Sequence, residues 1–458
     1  MGDLHAADES GIADRIVLSG TLGSTVPRTA TVQPAAVQLA AGGSKAGAAR
    51  RRRGLALGLL AVWGPGLIVM LADTDAGCLI TAAQSGAQWG YSMILPQIVL
   101  IPILFMAQEI VVRLGVVTGK GHGVLIREHF GLGWGMVSAG TLLVSAVGAL
   151  LTELAGVAGV GELFGVSPWI TVPMTTALML GLAFTGSYRR VEKVGIAVGL
   201  AELTFIPAMI MAHPQAVDLV HGLGAVPLGQ HSYVFLLAAN VGAVVMPWMI
   251  FYQQSAIVAK GLKPAQLKAE RRDTAVGSVI TQGIMIVVIV AFAATVFKVN
   301  RNAPLNTVGQ LVGGLSSAMG SMDAKVLVGA AVLGGALVAA IVVSLAGSWG
   351  IAEVLGWKHS LGERVNRRNW KFYAVYALAH LAGAAVVLAS VNLVGLAVDV
   401  MVMNALLLPI VLGFLLLLER KALPPEHRMR GWYRFTCTTL CLIVMGFGLY
   451  MVPTTLGL

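Results

Sequence analysis

Asp73 and Asp75 stand two residues apart inside an otherwise apolar stretch, Trp63 to Gly90, WGPGLIVMLADTDAGCLITAAQSGAQWG. Paired carboxylates in such a setting can bind a cation, provided the chain lets them turn toward it. Each carboxylate at a bilayer centre costs ~2.5–3.5 kcal/mol on insertion scales, so two cost roughly 5–7 kcal/mol unless something polar receives them. Residues two apart face nearly opposite sides of an intact helix, so an unwound segment is needed for both to face one cavity. Gly77, with Gly64, Pro65 and Gly66 upstream, is expected to loosen the helix and free carbonyls there. Irregular backbone at membrane depth is tolerated only where it is buried in protein or lines a wet cavity. Anionic side chains beside freed carbonyls make an oxygen-rich site for a hard cation.

A second stretch is interrupted in a similar way. In HSYVFLLAANVGAVVMPWMIFYQQSAIVAKGL, residues 231–262, Gly242 and Pro247 fall in the middle. Pro247 removes a backbone donor and frees the carbonyl one turn earlier, that of Ala243. Taken alone this reads equally as a Pro-kinked structural helix. Paired with the Asp-bearing stretch it points to a binding site, because interrupted spans at corresponding places in two halves mark transporter sites.

The rest of the chain supplies the elements that hold these two. It has 458 residues, 57% hydrophobic and 11% charged, with a mean hydropathy of +0.82. Soluble domains carry about 25% charged residues, and repeated apolar runs of about twenty residues place this chain among all-α polytopic membrane proteins. Eleven spans are expected, near 55–84, 91–117, 133–157, 168–187, 194–213, 232–258, 275–298, 325–354, 371–391, 394–418 and 432–453. The interrupted spans are the first and sixth. That separation fits two inverted five-span repeats, about 55–213 and 232–418, with an extra span at about 432–453. Residues 1–53 lack aromatic residues and long apolar runs, and read as a disordered cytoplasmic tail ending in Arg50–Arg53. With that tail inside, 28 of the 31 Lys and Arg residues fall on the cytoplasmic side. This predicts a cytoplasmic N-terminus and an outside C-terminus, in a membrane such as the bacterial inner membrane. The net charge of +10 therefore reflects topology, and nucleic acid is not an expected partner. Cys78, Cys437 and Cys441 form neither a disulfide framework nor a zinc motif.

These residues resemble the NRAMP family of divalent-metal transporters, which have a LeuT-type fold, over most of the chain from about residue 55. The family's Asp-Pro-Gly-Asn is matched by Asp75, Ala76, Gly77 and Cys78, and its Gln-Ala-Gly-Ala by Gln84, Ser85, Gly86 and Ala87. Its Met-Pro-His is matched by Met246, Pro247 and Trp248. Arg113 to Lys120 and Asp273-Thr274 match as well. The resemblance implies Asp75 and Met246 as direct metal ligands, and the carbonyls of Ala72 and Ala243 as backbone ligands. The metal would be the cargo, and no resident cofactor is implied.

The departures bear on selectivity and coupling. Cys78 replaces an oxygen ligand by sulfur, which as a thiolate favours softer metals. Ala76 replaces the family's Pro. Trp248 replaces a His associated with proton movement and cannot carry a proton, so coupling through it is not implied. Its indole is expected to line a wider cavity and donate one hydrogen bond. With Asp73 as an extra carboxylate, a roomy site would suit hydrated Mg²⁺, as in a divergent magnesium-transporting branch of the family, whereas the Met246 thioether suits Mn²⁺; of the two, the sequence slightly favours Mg²⁺.

Other intramembrane polar residues are Gln108, Glu109, Thr152, Glu153, Glu202, Asp399 and Asn404. Glu153 is expected in a polar pathway, with Asn404 approaching the site from the tenth span. His380 reads as a structural residue, and Glu353 as an interfacial anchor. The Lys260–Arg272 run reads as a solvated inner loop. The alternative function is a LeuT-type carrier of an organic solute such as an amino acid, against which the two negative charges argue. No nucleophile–His set, phosphate loop or hydrolase motif points to an enzyme.

Overall fold

The computed structural model describes residues 65–185, 187–300, 305, 307–358, 363–389 and 393–456, all helical or in connections between helices. Residues 1–64, which include the expected tail and the start of the first span, lie outside the described residues.

Among the described residues, nine stretches are long and apolar enough to cross a membrane. The longest, Ala76–Thr118, is two passes, because Gly90 takes a left-handed φ of 59° and reverses the chain between Ala76–Trp89 and Ile94–Thr118. The reversal is visible in the partners. Leu67, Met70, Gly86 and Gly90 meet Asp273, Thr281, Ile289 and Phe297 in rising order, so the first span runs parallel to the seventh. Glu109 then returns to Arg271, at the seventh span's beginning. The shorter apolar helix Pro168–Phe184 completes eleven passes.

Both interrupted spans are broken helices. The first consists of Pro65–Asp73 and Ala76–Trp89, and the sixth of His231–Val244 and Pro247–Lys260. The third span, Leu132–Leu163, and the eighth, Ser321–Leu355, pack along each other, and the tenth, Leu393–Ala422, lies against His231–Val244. Small residues permit the close approach that apolar helices need in lipid. A Cβ on Gly350 would strike Leu142 and Phe251, and one on Gly242 would strike the Met401 carbonyl. Large side chains such as Trp169, Leu378 and Phe435 are exposed on the outside of the bundle, as a lipid-facing surface requires.

One end of the bundle gathers the basic segments. Buried Glu109 meets Arg113, Arg271 at 2.8 Å and the Tyr433 hydroxyl at 3.0 Å, joining spans two, seven and eleven. Arg113 also donates to the His427 carbonyl, and Arg127 to that of Val354. The Lys260–Arg272 run is thus built into the bundle through Arg271 and a buried Glu270, and is more than a solvated loop. Glu353 is likewise no interfacial anchor. It is 2% exposed and accepts hydrogen bonds from Ser255 at 2.6 Å and from the Gly123 amide at 2.9 Å.

Candidate metal centre

The break in the first span falls at Thr74–Asp75, one turn before the place the sequence suggested. Asp75 is extended, at φ −66° and ψ 172°, and caps the second half-helix by accepting from the Cys78 amide at 2.7 Å. An Asp at this position satisfies an orphan amide and favours the positive end of the helix dipole. Gly77 is already helical, so it does not make the break. It is needed for contact instead: a Cβ there would lie 2.5 Å from Met401 Cε and 3.1 Å from Thr152 Oγ1. Gly66 is helical too, and the Asp273 carboxylate caps this end of the span by accepting from the Leu67 amide at 3.1 Å.

Freed carbonyls follow from both breaks. The Ala76 amide, which would return to Ala72 in a continuous helix, donates to Glu153 Oε2 at 3.1 Å. Pro247 has no amide to offer Ala243, whose carbonyl instead accepts the Cys78 thiol at 3.2 Å. Cys78 therefore acts here as a protonated donor that bridges the two breaks. Met246 caps the second half of the sixth span with an extended backbone, and its sulfur accepts from the Trp248 indole N–H at 3.2 Å.

Asp73, Asp75, Cys78, Ala72, Ala243, Met246 and Trp248 are all at most 1% exposed. The centre is closed to solvent in this conformation. Trp248 is fully buried, and its indole makes the expected single hydrogen bond, to the Met246 sulfur. Glu153 reaches the break itself, through the Ala76 amide and to within hydrogen-bonding reach of the Asp75 carboxyl, while Thr152 donates to its other oxygen at 3.0 Å. Among the described residues, Asn404 makes no hydrogen bond to the proposed ligands. Its amide oxygen accepts from Ser145 at 2.8 Å, and Met401, one turn away, is the tenth-span residue that touches Gly77. His380 is buried, with its Nδ1 3.1 Å from the Tyr376 carbonyl oxygen and its Nε2 without a partner. Among the described residues, no three His, Cys, Asp or Glu side chains form a cage by themselves. Around the two breaks the contacts are those of Cys78 with Asp75 and with the Ala243 carbonyl, and of Trp248 with the Met246 sulfur.

Two contacts were not foreseen. Glu202, in a 3-10 stretch of the fifth span, receives the Thr74 hydroxyl, and Gly335 of the eighth span lets the Thr74 carbonyl pack close. The carboxylate in an apolar span was a signal for the first; nothing in the sequence singled out Gly335 among 56 glycines.

Residues 66–454 match the family described as natural resistance-associated macrophage protein-like, Nramp. The chain belongs to the Nramp family. Its relatives include the divalent metal cation transporter MntH of Verminephrobacter eiseniae, 28% identical over 231 residues, covering 48% of this chain and 51% of that protein. MntH of Lacticaseibacillus casei is 25% identical over 429 residues, covering 87% and 90%. The chain thus aligns with about half the length of the former and nine-tenths of the latter. The Eremococcus coleocola manganese transporter superposes with a TM-score of 0.70 at 17% identity, over 86% of this chain and 87% of that one. A Na⁺-coupled sialic acid symporter superposes at 0.54 with 14% identity, over 86% and 90%. The chain is an integral membrane protein with the LeuT fold that Nramp transporters share, extended by an eleventh span.

Proposed function

We propose that this chain carries a divalent metal cation across the membrane by alternating access, with Mn²⁺ preferred over Mg²⁺. The observation that carries the reading is the pairing of the two broken spans. Their breaks are joined through the Cys78 thiol and the Ala243 carbonyl, and Asp75, Ala72, Ala243 and Met246 beside them are all buried. Asp75 supplies charge, the carbonyls of Ala72 and Ala243 supply neutral oxygen, and Met246 discriminates toward the borderline-soft metals. Relatives named as divalent metal cation and manganese transporters support the same reading. The symporter likeness concerns fold alone, and the carboxylates at the breaks disfavour an organic anion.

Movement of each half-helix about Thr74–Asp75 and Val245–Met246 would open one side at a time, with Gly77 and Pro247 allowing the close packing and the break. Trp248 carries no proton, so transport through this position proceeds without the proton step of a His. We place the basic end of the bundle in the cytoplasm of a bacterial inner membrane, with residues 1–53 inside and the C-terminus outside. The repeats then run over about 55–213 and 232–418.

Uptake into proteoliposomes tests this, comparing Mn²⁺ with Mg²⁺ while a trapped dye reports internal pH. Mn²⁺ entry exceeding Mg²⁺ entry, without acidification, is the expected result. Mg²⁺ entry alone would overturn the selectivity, and flux of neither ion would overturn the function.

A further inference from the structure

We infer that a groove between the third and tenth spans binds a membrane phospholipid whose headgroup carries a primary amine, with the ammonium on Asp399 and an acyl chain along the apolar lining. The inference is independent of the cargo proposed above and concerns another face of the tenth span.

The groove has a volume of about 540 Å³, within the roughly 300–1,000 Å³ typical of small-molecule sites. Leu143, Val147 and Leu151 line it from the third span, and Leu396, Asp399 and Met403 from the tenth. Gly148 lets the two spans come together beneath it: a Cβ there would lie 2.9 Å from Met403 Cε and 3.0 Å from Val400 Cγ1. Ser145 and Asn404, next in sequence to the lining residues Val144 and Met403, are hydrogen-bonded at 2.8 Å and hold the spans to each other. On the tenth span Leu396, Asp399, Val400 and Met403 recur every three to four residues and so share one helix face. Met401, against Gly77 and Gly242, and Ala405, against Gly242, stand on another face, toward the two interrupted spans. The groove is therefore separate from the candidate metal centre. Leu143 and Val144, in the middle part of the third span, are 42% and 47% exposed, so the groove opens to the outside of the bundle, where lipid covers such side chains.

Asp399 is the one charged residue of this lining. It is exposed, and among the described residues no donor pairs with it. A carboxylate turned to lipid without a partner is costly, and a cationic group belonging to the lipid offsets that cost. The tenth span has 30 residues, about 45 Å of helix against a hydrocarbon core of about 30 Å, and Asp399 stands about 9 Å from its beginning. That places the carboxylate near the boundary between hydrocarbon and headgroups, within reach of a headgroup amine. A primary ammonium supplies a positive charge and three N–H donors for charge-assisted hydrogen bonds. A choline group carries the same charge but no N–H, and a glycerol headgroup leaves the lipid anionic, which Asp399 repels. Charge and hydrogen bonding thus select the same occupant.

Native mass spectrometry of the detergent-purified full chain tests the inference, with phosphatidylethanolamine, phosphatidylcholine and phosphatidylglycerol of identical acyl chains titrated separately. Expected is one equivalent of phosphatidylethanolamine bound about tenfold more tightly than either other lipid. Asp399→Asn should bring it down to the phosphatidylcholine level, and Asp399→Glu should keep the preference. Leu143→Trp, which fills the groove from an exposed position, should weaken both zwitterionic lipids alike. An unchanged size-exclusion profile in each variant shows an intact fold. Equal affinity of wild type for the three lipids, or a phosphatidylethanolamine preference that survives Asp399→Asn, overturns the inference. So does a dimeric mass that Leu143→Trp converts to monomer, since a second copy would then occupy the groove.

Discussion

The thiol of Cys78, in the first span, lies 3.2 Å from the carbonyl oxygen of Ala243, in the sixth. Each residue sits just beside a helix break, so this one contact locks the two half-helix junctions together. It also occupies a carbonyl that we propose as a ligand of the cargo. Metal entry would then replace a weak S–H donor by a cation at Ala243.

Cys78→Asn places a hard oxygen where the thiol stands and keeps a donor for Ala243. Mn²⁺ affinity is expected to rise about three- to tenfold, a gain of ~0.7–1.4 kcal/mol. The advantage of Cd²⁺ over Mn²⁺ should shrink. Competition binding between the two ions on the purified variant reads both changes.

Trp248→Phe keeps an aromatic ring in a fully buried position and removes the N–H that donates to Met246 Sδ together with part of the indole's bulk. A hydrogen bond of this kind contributes about 0.5–1.5 kcal/mol net, and losing it frees a sulfur lone pair for metal. Cd²⁺ should bind roughly two- to tenfold tighter, with Mg²⁺ unaffected. Weaker Cd²⁺ binding would mean that Trp248 orients Met246 for the metal.

Gly242→Ala and Gly77→Ala separate two kinds of close contact. At Gly242 a Cβ meets backbone, the Met401 carbonyl and the Ala405 nitrogen at 2.7 Å, neither of which can move aside. At Gly77 it meets the flexible end of Met401. Overpacking costs typically ~1–3 kcal/mol. Gly242→Ala should reach or exceed that upper figure and Gly77→Ala stay near the lower one. Thermal unfolding followed by size exclusion in detergent gives the order, and equal melting points would contradict it.

His122 lies on the short helix His122–Phe130 between the second and third spans, packed edge-on against Phe251 with Nδ1 3.0 Å from Gln254 Oε1. Burial pushes its pKa down to about 4 from an ordinary value near 6.5. Between those values the unfolded state binds more protons than the folded one, so stability rises with pH across the window. Acidification from about pH 6.5 to 4 should remove up to roughly 3 kcal/mol, and His122→Gln should flatten that slope. Melting temperatures at pH 4.5, 5.5 and 6.5 check the sign.

Much of this was legible in the sequence because lipid makes polar residues conspicuous. Asp75 and Pro247 stood out against apolar neighbours, and each does locate a break. Gly77 misled because its conformational freedom was the visible property, whereas its missing side chain is what the fold uses against Met401. Trp248 was read as donating one hydrogen bond, and its partner, the Met246 sulfur, lies only two residues away. Glu353 and Arg271 were assigned to surface roles from their position near span ends, yet long-range partners bury or anchor them, and such partners leave no local pattern. Glu202 was visible as a carboxylate, but its meeting with Thr74 joins residues 128 apart in sequence.

The central claim is that Asp75 is the charged ligand of the transported metal. Mn²⁺ uptake into proteoliposomes by Asp75→Ala, set beside wild type with matched incorporation and an unchanged size-exclusion profile, tests it most directly. Uptake at the level of empty liposomes is expected. Uptake near the wild-type rate would contradict it.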